Sequence, residues 1–124
     1  MMTPVRILLV EDDESASIGL AELLEGEGYP VRVVNRFEDG LHVLRTDPPD
    51  LLIADIRLGS FNGLQLVLRG QPSVPSIVIT GYDDPVLADN ARSLGATYFV
   101  KPIDPTALLS AIVRITSAAR NVPS

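Results

Sequence analysis

Leu51-Leu52-Ile53-Ala54-Asp55 decides the fold: four apolar residues run without interruption and then stop at a single acid. A strand with one face in water alternates polar and apolar residues, whereas a parallel strand covered by helices on both faces reads as a continuous apolar run. Three more segments share this form and also end in polar groups. Ile7-Leu8-Leu9-Val10 leads into Glu11-Asp12-Asp13, Ile77-Val78-Ile79 into Thr80, and Tyr98-Phe99-Val100 into Lys101-Pro102. Lys101 is the only lysine in the chain.

The stretches between these runs carry helical spacing. The apolar faces read Ala16, Leu20, Leu23 and Leu24; Phe37, Leu41 and Leu44; Leu64, Val67 and Leu68; Leu87, Ala91 and Leu94; and Leu108, Ile112 and Ile115. Gly26 and Gly28 stop the first helix, Asp47-Pro48-Pro49 breaks the second, and Gly95 closes the fourth. Asp104-Pro105 opens the fifth, as an N-cap followed by proline at the first helical position. Strands are expected near 5–10, 31–34, 51–55, 76–80 and 97–100. This alternation predicts an α/β fold, a doubly wound five-stranded parallel sheet of order 2-1-3-4-5 with helices on both faces. In that order the first and third strands are neighbours, about 4.8 Å apart, so Glu11-Asp12 and Asp55 meet beyond their carboxyl ends.

A chain of 124 residues fits one domain, placed at 4–120, with 121–124 as a tail or the start of a linker. The hydrophobic fraction of 46% and charged fraction of 21% are those of an ordinary globular protein. There is no cysteine, hence no disulfide framework or thiolate metal site. The apolar runs are too short to span a bilayer and the N-terminus lacks a signal-peptide pattern, so a cytoplasmic protein without membrane association is expected. The net charge of −6 and the scattered arginines argue against direct nucleic-acid binding by this domain.

Three converging carboxylates repel, at a cost on the order of 4 kcal/mol per pair at about 4 Å and an effective dielectric of 20. Lys101 answers one charge, and a hard divalent cation such as Mg²⁺, bound by oxygens and completed by phosphate, answers the rest. A carboxylate beside such a cation and an ammonium can attack phosphorus. Asp55, alone at a strand end, is the expected nucleophile, and Glu11 and Asp12 the metal holders.

These residues resemble the receiver domain of two-component response regulators. The resemblance rests on Glu11-Asp12-Asp13 after the first strand, Asp55-Ile56-Arg57-Leu58 after the third, Ile79-Thr80-Gly81 and Tyr98-Phe99-Val100-Lys101-Pro102, in order over nearly the whole chain. It implies a flavodoxin-like three-layer sandwich and Asp55 as acceptor of a phosphoryl group from a histidine kinase or phosphotransfer protein. It further implies Mg²⁺ held by Glu11, Asp12, Asp55 and the backbone carbonyl of Arg57, with Thr80 and Lys101 on phosphoryl oxygens. Thr80 and Tyr98 would form the switch that alters the face made by the fourth helix, fifth strand and fifth helix. That face could serve an effector domain, a downstream protein or a homodimer, and the Lys101-Pro102 bond would be cis. Such a domain is a signalling phosphoacceptor that catalyses only its own phosphorylation and dephosphorylation. Gly59 stands where the family often has proline, and the segment after the third helix is short. Arg57 and Tyr82 should flank the mouth of the site, where the family tunes loss of the phosphate to water.

Other readings stay beside this one. A flavin-type phosphate binder would be repelled by Glu11-Asp12-Asp13, and a phosphatase with an aspartyl nucleophile would want an acid where Arg57 stands. A receiver-like interaction module that works without phosphorylation is the alternative. Asp13 is expected to cap the first helix, and His42 to lie on the surface away from the site.

Overall fold

The computed structural model describes residues 3–59, 61–70 and 73–120. In chain order the elements are β1 (Ile7–Val10), α1 (Glu14–Gly26), β2 (Val31–Val34), α2 (Phe37–Thr46), β3 (Leu51–Asp55), β4 (Arg57–Leu58), β5 (Phe61–Asn62), α3 (Gly63–Arg69), β6 (Ser76–Thr80), α4 (Pro85–Ser93), β7 (Thr97–Val100) and α5 (Pro105–Arg120). The main sheet has five parallel strands in the order β2-β1-β3-β6-β7. This is the expected doubly wound topology, with β6 and β7 as the predicted fourth and fifth strands.

Side chains of a strand alternate between faces, and here both faces are covered. Ile7, Leu9, Ile53, Ile77 and Ile79 meet Leu24 of α1 and Leu108 and Ile112 of α5. On the opposite face Leu8, Val10, Leu52 and Ala54 meet Phe37, Leu41 and Leu44 of α2 and Leu66 of α3. Val78 packs with Ile56, Leu64 and Ala91 of α4. Every residue of β1, β3 and β6 is buried, which is why their runs Ile7–Val10, Leu51–Ala54 and Ile77–Ile79 had to be apolar.

Registers bring the strand ends level. Val10 pairs with Val34 and Ala54, Asp55 with Ile79, and Thr80 with Val100, so the residues just beyond share one edge. At the opposite edge the Arg6 amide donates to Asp50 Oδ2 at 2.8 Å, and its guanidinium donates to Asp47 Oδ1 and to the Pro48 carbonyl, both at 3.1 Å.

The structure corrects several details. The first strand begins at Ile7, because Arg6 turns its amide to the Asp50 side chain instead of a neighbouring strand. A small antiparallel pair, β4 with β5, follows β3 and was not expected. Gly59, in its turn, takes φ 61°, a left-handed conformation that glycine adopts without strain. In α1 the most buried residues are Ser17, Ala21 and Leu24, a stripe rotated from the predicted face. In α3 Leu64 is buried as expected, but its partner is Leu66 and not Leu68, which is 67% exposed. Leu94 lies just beyond the end of α4 and is 36% exposed. The tail expected at 121–124 lies outside the described residues.

Candidate functional site

The level strand ends set four residues along one edge of the sheet. Glu11 follows β1, Asp55 ends β3, Thr80 ends β6 and Lys101 follows β7. The helices beside them start sharply because short polar side chains cap them. Asp13 accepts from the Ser15 and Ala16 amides at 3.0 and 3.3 Å, Asn62 from the Leu64 amide at 2.8 Å, and Asp84 from the Val86 amide at 2.9 Å. Asp13 is therefore a cap, as expected.

Lys101 Nζ lies 2.8 Å from Asp55 Oδ2 and 3.4 Å from Glu11 Oε2. The carboxylate side chains are only 9% and 5% exposed, and that of the lysine 35%. The remaining oxygens meet backbone: Asp55 Oδ1 accepts from the Arg57 amide at 2.8 Å and Glu11 Oε1 from the Asp13 amide at 3.0 Å. Burial pushes Glu11 up to about 7, and the adjacent Asp55 adds to the shift against the pull of the Asp13 amide and Lys101. Burial opposes the charge on Lys101, but contacts with Asp55 and Glu11 outweigh it and hold its pKa above the ordinary lysine value. One ammonium thus does not balance two buried carboxylates. His42 is exposed on α2 and takes no part.

Asp12 is not drawn in with the other two acids. It is exposed, and its Oδ2 accepts from the Gly59 amide at 3.2 Å. Among the described residues no three acidic or histidine side chains stand close enough together to hold a metal ion. The expected trio of carboxylates is therefore a buried pair plus one acid at the rim. The donors are still those of a hard cation, oxygens only. Glu11, Asp55, Asp12 and the Arg57 carbonyl fit Mg²⁺ in kind, with Asp12 having to leave Gly59 to join them.

Thr80 is buried, its hydroxyl oxygen accepts from the Tyr82 amide at 3.1 Å, and its carbonyl accepts from the Lys101 amide at 2.8 Å. The Lys101-Pro102 bond is cis. Tyr98 packs against the cluster under α4, and its hydroxyl donates to the Tyr82 carbonyl at 2.9 Å and accepts from the Asp84 amide at 3.3 Å. The Arg57 and Tyr82 side chains touch each other: the guanidinium carbon sits 4.3 Å from the centre of the Tyr82 ring.

Two residues escaped the sequence reading. Asn62 caps α3, and Gly63 brings the start of that helix against the backbone of Asp55 and Ile56. The Asn62-Gly63 dipeptide before a helical spacing was the available signal.

A family model of the response regulator receiver domain matches residues 7–113. The acid tolerance regulatory protein ActR of Sinorhizobium medicae is 34% identical over 119 residues, covering 92% of this chain and 61% of that protein. The DNA-binding response regulator MtrA of Mycolicibacterium smegmatis is 34% identical over 110 residues, covering 86% of this chain and 48% of that protein. The chain thus spans 48% to 61% of the length of these relatives. The solved CheY-like receiver domain of Methanospirillum hungatei superposes with a TM-score of 0.88 at 27% identity, covering 95% of this chain and 98% of that one. The non-phosphorylated HemR receiver domain of Leptospira biflexa superposes with a TM-score of 0.80 at 30% identity, over 93% and 95% of the two chains. With this sheet order and these strand-end residues, the chain belongs to the response regulator receiver domain family.

Proposed function

We propose that this receiver domain accepts a phosphoryl group on Asp55 from the phosphohistidine of a histidine kinase or phosphotransfer protein. The observation that carries the reading is Lys101 bridging Asp55 and Glu11 at 2.8 and 3.4 Å, with both carboxylates buried at the end of the sheet. An Asp55 carboxylate oxygen forms a bond to phosphorus as the phosphorus–nitrogen bond of the donor breaks and the imidazole keeps the electron pair. Hydrolysis reverses the gain: water attacks phosphorus and the Asp55 carboxylate leaves. Glu11, Asp12, Asp55 and the Arg57 carbonyl would hold Mg²⁺, which would supply positive charge against the phosphoryl oxygens. Lys101 moves from carboxylate to phosphoryl oxygen, and Thr80 turns its hydroxyl proton toward a second one.

The signal then passes through Thr80 and Tyr98. Both contact the segment before α4, Thr80 through the Tyr82 amide and Tyr98 through the Tyr82 carbonyl and Asp84 amide. A Thr80 contact made only to the phosphorylated site shifts the population of that segment and, with it, the face of α4, β7 and α5. An effector domain, a downstream protein or a second copy would read that face. No described helix is long and apolar enough to cross a membrane.

Incubation with Mg²⁺ and a small acyl phosphate is expected to add one phosphate to the parent protein and none to Asp55→Asn, read by intact mass spectrometry. An unchanged parent mass, with donor and metal proven active on another receiver, would favour an interaction module that works without phosphorylation.

A further inference from the structure

We infer that Gly63 is a positioning residue for the Asp55 carboxylate, an inference that rests on the phosphoacceptor reading above. Gly63 is the first residue of α3 and is buried. Its amide donates to the Ile56 carbonyl at 2.8 Å, which ties the start of the helix to the chain just past the acid. A Cβ built on Gly63 would fall on the Asp55 carbonyl oxygen, 2.9 Å from its carbonyl carbon and 3.3 Å from Ile56 Cα. Those neighbours are backbone, so no side chain can swing aside to make room. Either α3 withdraws or the Asp55–Ile56 peptide is pushed.

That peptide is the root of the site. Asp55 Oδ1 is fixed by the Arg57 amide at 2.8 Å, and Oδ2 by Lys101 at 2.8 Å. Displacing the peptide moves the carboxylate relative to both, and it also moves the Arg57 carbonyl proposed as a metal ligand. An in-line attack tolerates little such error, and a misplacement of about 1 Å can cost about 100-fold in rate. The absent side chain at 63 therefore acts on the chemistry through the backbone of its neighbours, without touching phosphate.

The test compares Gly63→Ala with Gly70→Ala at the other end of α3. A Cβ at Gly70 would lie 2.7 Å from both the Leu66 carbonyl oxygen and Leu44 Cδ1, a milder crowding, partly against a side chain, at the end of the helix away from the acid. Three quantities are read: the thermal melt, the rate of phosphate uptake from a small acyl phosphate with Mg²⁺, and the Arg57 amide NMR shift without metal. Gly63→Ala is expected to melt cooperatively, take up phosphate about 10- to 100-fold more slowly and move the Arg57 amide. Gly70→Ala should keep the parent rate and the parent Arg57 shift. The inference falls if Gly63→Ala matches the parent in rate and shift, if both variants slow alike, or if Gly63→Ala does not fold, since the glycine then serves the fold alone. A parent protein that takes up no phosphate sinks the functional reading instead, and the Arg57 shift still reports on the glycine.

Discussion

Two buried carboxylates share one ammonium, and Glu11 carries the imbalance. Its pKa rises from the ordinary 4.5 to about 7 because burial disfavours its charge and Asp55 stands beside it. Below pH 4.5 the carboxyl is protonated in both folded and unfolded chains. Between 4.5 and about 7 the unfolded chain releases the proton while the folded chain keeps it, so rising pH favours unfolding through that window. Metal-free protein is expected to lose stability across it and then level off, and Glu11→Gln should flatten the profile. Lys101, also shifted upward, loses its contribution only above 10.5, outside this window. Thermal melts in chelator at about pH 5 and about pH 8 check this, and an equal slope in parent and Glu11→Gln would refute it. At saturating Mg²⁺ the fall should shrink, because the cation answers the charge that the proton had answered.

Among the elements, α3 shows what a period can and cannot say. Its seven residues make barely two turns, so the apolar spacing at Leu64, Val67 and Leu68 fits as well as one that includes Leu66. The structure chooses Leu66, fully buried against Leu8, Leu52 and Leu44, because the start of the helix is already pinned at Gly63. Leu66→Ala should therefore cost about 2–5 kcal/mol, and Leu68→Ala about 0.5 kcal/mol or less. Urea midpoints of the two variants check this, and a reversed order would return α3 to the predicted face. The strands were legible because double burial permits only apolar runs. The pair β4–β5 was not, since two-residue strands carry no period. Of the site, Glu11, Asp55, Thr80 and Lys101 were readable as strand-end residues, whereas the retreat of Asp12 to Gly59 is a matter of loop geometry that spacing does not encode.

Across the whole molecule, two connections run from the acid end to α4. One passes from Lys101 to Thr80 through backbone, and the other from β7 to the Tyr82–Asp84 segment through the Tyr98 hydroxyl. Tyr98→Phe keeps the ring in its cluster and removes only the second. It should leave phosphate uptake on Asp55 close to the parent rate while speeding amide exchange at Asp84, which loses its acceptor. Hydrogen exchange at single-residue resolution checks this, and unchanged protection at Asp84 would show that the hydroxyl does not hold the segment. The Arg6 contacts with Asp47, Asp50 and Pro48 lie at the opposite edge of the sheet, away from both connections.

The lone lysine has a practical corollary. Its amine is the single side-chain amine in the chain, and the same ion pairs that seat it against Asp55 and Glu11 keep it protonated and hence a poor nucleophile near neutrality. A label that settles on this amine therefore reports on whether Lys101 has left Asp55 and Glu11.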